Sequence, residues 1–167
     1  QERSDSGGNC GPFGFWNCEY IDTIGQGGFG ISLTFGFNHI PMISYLDGDA
    51  QLIKVARYTG TGTESSCTNS ANWDCDPIAP GYLTDRGQTS IWADKATSLV
   101  MVSWYQYNLS ASNLMWSQFS MMSGWLPPER VADAMYSGEQ NSLTVIDSMP
   151  VIAYTDGRFN RNALNYA

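Results

Sequence analysis

The sequence predicts an all-β chain of three consecutive units. Three observations predict it: apolar residues that alternate with period two, turn signals between the alternating stretches, and four short markers that recur three times in one order. Ile31-Ser32-Leu33-Thr34-Phe35 and Leu143-Thr144-Val145 alternate apolar with polar, as a strand with one buried face does. The stretches 42–45, 99–105 and 150–154 are rich in β-branched and aromatic residues and short enough to be strands. Asp47-Gly48, Asp156-Gly157 and the glycines between Gly25 and Gly30 supply the breaks. One stretch, 128–136, places Val131, Ala134 and Met135 at helical spacing, but it aligns with Glu19–Asp22 of the first unit, which reads as strand.

The repeat is read from the cysteines outward. Cys10 and Cys18 are eight apart, Cys67 and Cys75 are eight apart, and 57 residues separate the pairs. Each second cysteine follows a tryptophan by two positions, in Trp16-Asn17-Cys18 and Trp73-Asp74-Cys75. Trp125 opens a third copy without cysteines, 52 residues after Trp73. From each tryptophan the same markers follow. Ser32-Leu33, Ser90-Ile91 and Ser142-Leu143 come first, then Ile43-Ser44-Tyr45, Val102-Ser103-Trp104 and Ile152-Ala153-Tyr154. The last are Ile53-Lys54-Val55-Ala56, Leu114-Met115-Trp116-Ser117 and Leu164-Asn165-Tyr166-Ala167. Such self-similarity marks a repeat architecture of 50–57-residue units. The expected organisation is a flexible segment 1–9 and a single repeat domain, 10–167, with units near 10–66, 67–118 and 119–167 and about four strands in each.

Composition narrows the function. At 167 residues the chain fits one domain. Its 43% hydrophobic residues are enough for a packed core, and only 14% are charged, against about 25% in an average globular protein. The net charge is −8 and the pI near 4.3, which argues against nucleic acid as a partner, because phosphate contacts need clustered Lys and Arg. No apolar run reaches the roughly 18 to 20 residues of a bilayer span. The chain opens on Gln1 and a polar stretch, the expected look of a mature N-terminus after removal of a signal peptide.

Four cysteines permit three connectivities, and the duplicated spacing favours Cys10–Cys18 and Cys67–Cys75. A four-thiolate zinc site is the rival, but its paired ligands usually stand closer than these. Disulfides imply an oxidising compartment, so the expected location is secreted, extracellular or at the cell surface.

Taken together, Trp16, Cys18, Ser32, Leu33, Ile43, Ser44, Tyr45 and Asp47 resemble a repeat of secreted bacterial proteins and lipoproteins, and the resemblance covers nearly the whole chain after residue 9. Units of that kind resemble β-propeller blades, four-stranded sheets packed around an axis. Three blades are too few for a usual ring of four to eight. The resemblance therefore implies two chains completing a six-bladed ring, head-to-tail pairing, or another closure of three units. A β-trefoil, with twelve strands in three units, is the alternative.

The search for chemistry returns little. His39, the lone histidine, sits at an expected hairpin turn with no nucleophile elbow in the chain, so no catalytic residue is assigned and the protein is not expected to be an enzyme. Gly25-Gln26-Gly27-Gly28-Phe29-Gly30 matches the dinucleotide fingerprint formally, but a strand pattern follows where a helix is required. Asp47 and Asp156 occupy one repeat position, with Gln106 in the second unit, and read as turn formers. Asp47-Gly48-Asp49 falls far short of a calcium loop, so calcium is only a weak candidate and no cofactor or metal is expected.

Trp92, Trp104, Tyr105, Tyr107 and Trp116 crowd the second unit. Trp104 and Trp116 read as core. Trp92, Tyr105, Gln106 and Tyr107 are candidates for glycan binding, with Tyr105 and Tyr107 expected to be exposed, because sugar rings stack on aromatic faces while amides meet their hydroxyls. Asn108-Leu109-Ser110 is an N-glycosylation sequon, and 59–66 reads as a solvated linker. The leading expectation is a non-catalytic structural module that binds copies of itself as a ring or fibre, since an incomplete set of blades leaves unpaired edges. The alternatives are a carbohydrate-binding lectin and, third, a glycoside hydrolase.

Overall fold

The computed structural model of the chain describes residues 2–3, 7–11, 13–23, 30–61, 67–81, 88–108, 111–132, 137–156 and 163–167. The fold is all-β, with three antiparallel sheets of three to five strands, a separate two-stranded pair and no α-helix among these residues. The glycine run 24–29 and the linker residues 62–66 lie outside them.

Near the N-terminus, β1 (Glu2–Arg3) pairs with β2 (Trp16–Asn17), so part of the segment expected to be flexible is paired. The first sheet runs β3 (Ser32–Phe35), β4 (Pro41–Asp47), β5 (Leu52–Tyr58) and β6 (Trp73–Pro80), each beside the next. The second runs β7 (Thr89–Ala93), β8 (Val100–Asn108) and β9 (Ala111–Ser120). Its fourth place is shared by β10 (Gly124–Trp125) and β11 (Glu129–Ala132), which both pair with β9. The third has three strands, β12 (Asn141–Ile146), β13 (Met149–Asp156) and β14 (Ala163–Tyr166).

Local chemistry sets the turns. Between β3 and β4 a 3₁₀ turn spans Phe37–His39, with Asn38 and His39 at φ of 55° and 58°; asparagine and histidine tolerate this left-handed region better than most residues. His39 is exposed there as a turn residue. After β4, the Asp47 carboxylate accepts hydrogen bonds from the N–H groups of Asp49 and Ala50, the turn-forming role expected of it. Asp147 and Ser148, both with positive φ, make the two-residue hairpin between β12 and β13. The stretch weighed as a helix carries β11 instead: the open edge of β9 gives Glu129–Ala132 ladder partners, while 133–136 lie outside the described residues. Glu19–Asp22, read as strand, joins no sheet among the described residues.

The sheets are offset from the sequence markers. Two of the three Trp markers lie in the outermost strand of the preceding sheet: Trp73 pairs with Tyr58 of β5, and Trp125 with Phe119 of β9. In both cases the partner lies two residues past the last marker. Trp16 instead pairs with Arg3 of β1.

The three sheets pack face to face in a row. Met42, Leu46, Ile53 and Val55 of the first meet Ile91, Ala93, Val100, Val102 and Trp104 of the second. On the other side of the second sheet, Met101 and Leu114 meet Leu143 and Ile152 of the third. Trp104 and Val102 are fully buried, so the second sheet is the centre of the molecule and supplies its most enclosed aromatic group.

Candidate interaction surfaces

Innermost strands β3, β7 and β12 are joined by a repeated hydrogen bond. In an antiparallel ladder alternate residues turn their N–H away from the partner strand, which frees the N–H of Ile91 and of Leu143 for the neighbouring sheet. Ser32 Oγ accepts from the Ile91 N–H at 3.2 Å, and Ser90 Oγ accepts from the Leu143 N–H at 2.9 Å. A second polar pair accompanies each. Ser44 Oγ lies 2.7 Å from Thr89 Oγ1, and the Ser103 hydroxyl donates to Asn141 Oδ1 at 2.6 Å. Two of the repeat markers are thus hydrogen-bonding devices between sheets, a role that marker spacing alone could not reveal.

The outer face of the first sheet is half covered. Tyr45, Ala56, Trp73 and the Cys67–Cys75 bridge form a buried cluster against which Ile21 packs. Residues 19–23 are tied down there by charge. The Asp22 carboxylate receives hydrogen bonds from Tyr45 Oη (2.8 Å), Lys54 Nζ (3.1 Å) and the N–H (3.0 Å) and hydroxyl of Thr68. Burial by itself would raise its pKa, but the Thr68, Tyr45 and Lys54 bonds outweigh burial and hold it at about 2. Burial likewise opposes charge on Lys54, yet ion pairs with Asp47 (2.6 Å) and Asp22 keep its ammonium group above its ordinary value. The Tyr45 hydroxyl is raised by burial first and by Asp22 second. Glu19 completes the anchor, accepting from Ser70 Oγ and from Trp73 Nε1.

Beside this anchored segment the inner strand is bare. Alternation predicts Ile31, Leu33 and Phe35 as the buried side of β3, but they are 59%, 58% and 48% exposed. The polar side, with Ser32 and Thr34, faces the second sheet instead. At the opposite end of the row the outer face of the third sheet is bare too, with Met149, Leu164 and Tyr166 at 64%, 81% and 83% exposure.

The expected glycan residues do not gather on a surface. Tyr105 is buried, a correction to the expected exposure: it shares the inward side of β8 with Met101 and Ser103, which face the third sheet. Tyr107 is half-buried and stacks on Tyr105 with ring centres 6.4 Å apart. Trp92 and Trp116 pack against the cluster between the second and third sheets. Gln106 donates from Nε2 to the Pro80 carbonyl. Asn108 ends β8, and the rest of its sequon, Leu109 and Ser110, lies outside the described residues.

Cys10 is bonded to Cys18 and Cys67 to Cys75. No three metal-ligating side chains come together among the described residues, and Asp156, buried, accepts from Asn165 Nδ2. A cleft of about 120 Å³ opens between the first and second sheets, lined by Phe37, Met42, Val55, Trp125, Arg57 and Asp76 among others. Burial first and Asp74 second push the Asp76 carboxyl above its usual value, and Arg57 and the Trp125 indole only partly offset this.

No family model, curated protein or solved structure matches the chain.

Proposed function

We propose that this is a secreted, non-catalytic interaction module whose sheets stand as blades around the axis lined by β3, β7 and β12, and whose biological form is an assembly of copies of itself. The observation that carries this reading is the pair of uncovered apolar faces at the two ends of the row, around Leu33 and around Leu164 and Tyr166. Contiguous apolar surface of this kind marks an interaction site in a water-exposed protein. Blades are favoured over a trefoil because the three sheets share no strand pairing. Two buried disulfide sulfurs, Cys67 and Cys75, fit an oxidising compartment. A head-to-tail contact between the two ends gives a ring if the rotation closes and a filament if it does not. Light scattering on a gel-filtered sample tests the reading: a mass at a multiple of 18.4 kDa at micromolar concentration is expected, and a monomer there overturns it.

A second reading is favoured by the cleft at Phe37, Trp125, Arg57 and Asp76, where aromatic surface meets polar groups as in sugar sites. It predicts glycan-array binding that Asp76→Asn weakens while Tyr107→Ala leaves it unchanged; an array without signal removes it.

A further inference from the structure

The first and second sheets are built to one rule, and the described residues depart from it in the third sheet and in the segment before the first in complementary ways. The outermost strand of the first and second sheets comes from the next Trp marker, yet among the described residues β14 has no partner on its outer side and residues 18–23 pair with no strand. We propose that these complete each other between copies: the outer face of the third sheet of one copy packs on the outer face of the first sheet of the next, and residues 18–22 of that next copy pair with β14. This rests on the self-association reading above and specifies its contact.

Three independent features carry it. Residues 19–21 already hold the position of such a strand. Glu19 and Ile21 lie one 57-residue repeat before Asp76 and Ile78, and the contacts correspond. Glu19 accepts from the Trp73 indole, and Asp76 lines the cleft that also holds the Trp125 indole. Ile21 packs on the cluster of Tyr45 and Trp73 as Ile78 packs on that of Trp104 and Trp125. The segment is therefore docked on the first sheet as β6 is docked on the second, with the rest of its own sheet missing.

The second feature is the serine ladder. Gly36 N–H bonds to the Ile40 carbonyl, so alternation along β3 turns the Leu33 N–H away from β4, as with Ile91 and Leu143. Ser142, the third marker serine, stands exposed on the outer face of the third sheet, and its hydroxyl makes no hydrogen bond among the described residues. Ser142 Oγ of one copy accepts from the Leu33 N–H of the next, extending the Ser32 and Ser90 bonds by one step.

Third, the accompanying pair changes character on both sides at once. Ser44 with Thr89 and Ser103 with Asn141 are polar pairs, whereas the corresponding residues at the open ends are Ala153 and Ile31. Either one alone would strand a polar partner; together they make an apolar contact. Likewise the third-sheet counterparts of Met42, Ile53 and Val55, which pack on the second sheet, are the apolar residues Val151, Leu164 and Tyr166.

The register follows from β5 and β6. Ala56 faces Cys75, Val55 faces Asp76 and Lys54 faces Pro77, so Ala167 faces Cys18, Tyr166 faces Glu19 and Asn165 faces Tyr20 of the next copy. Tyr20 is 86% exposed and open to such pairing.

Mixing two single variants, Tyr20→Cys and Asn165→Cys, under mild oxidation tests the contact, because their mixed cross-link forms only between copies. The mixed link is expected at roughly tenfold over either like-with-like link, and Tyr166→Lys in the Asn165→Cys partner is expected to abolish that excess. Assembly by light scattering without an excess of the mixed link overturns this contact and leaves self-association standing. A monomer with no excess overturns both. Since Tyr20, Asn165 and Tyr166 are all at least partly exposed, folding of the variants is checked directly by their unchanged unfolding midpoints.

Discussion

The second and third sheets are built from equivalent markers, yet one is enclosed and the other is half bare. In β8 the five residues 101–105 are all buried, because both faces of that strand meet another sheet. In β12 only Leu143 is buried and its neighbours alternate outward. The same strand pattern thus gives a central layer in one place and an end layer in the other, and the number of neighbouring sheets makes the difference. An end layer with apolar groups on its bare side is a surface awaiting a neighbour.

The widest gap between the two regions is expected on truncating their aromatic and aliphatic groups. Trp104→Ala is expected to cost about 3 to 5 kcal/mol in urea unfolding, the usual loss for a fully buried large side chain. Leu164→Ala, on the bare face, is expected to shift the single chain's unfolding by less than about 0.5 kcal/mol. Equal costs would show that the third sheet is covered within one chain.

Next come the bridges. Cys67–Cys75 lies in a buried cluster and Cys10–Cys18 at the exposed N-terminal loop. Replacing Cys67 and Cys75 by alanine is expected to cost about 2 to 4 kcal/mol by equilibrium unfolding, and replacing Cys10 and Cys18 distinctly less. The reverse order would place the stability of the first sheet in its N-terminal loop.

Ser90→Ala strands the Leu143 N–H between two sheets and is expected to cost about 1 to 3 kcal/mol. Ser142→Ala, the equivalent change on the bare face, is expected to leave the isolated chain's stability unchanged while weakening assembly.

The smallest effect is that of pH on the 19–23 anchor. The Asp22 carboxyl has a folded-state pKa of about 2, below its ordinary 3.8, so its stabilisation is complete above the ordinary value and is lost as pH falls towards 2. Limited proteolysis between pH 5 and 2 is expected to show residues 19–23 released over that window, and Asp22→Asn is expected to release them at every pH in it. A segment that stays protected in the variant would mean that Ile21 packing alone holds it.

Much of this was legible in the residues themselves. Period-two alternation and turn signals mark the all-β class, because a strand's side-chain period and turn chemistry are local. They do not mark the strand number: about four per unit are expected, and the third sheet has three among the described residues. The paired cysteine spacing pointed to the bridges that the structure forms. The burial of Tyr105 was not legible, since a strand enclosed on both faces hides residues of either parity. Nor was the Asp22, Lys54 and Asp47 cluster, in which Asp22 stands 25 and 32 positions before the other two and meets Lys54 only by folding.

What the sequence determined by itself was an all-β chain, with the turns that separate its strands. Tertiary structure alone decided which side of each strand is covered, because burial depends on which sheet stands opposite. It turned Ser32 and Ser90 into hydrogen bonds between sheets, moved Trp73 and Trp125 onto the preceding sheets, and left Leu33 and Leu164 facing outward on the first and third sheets.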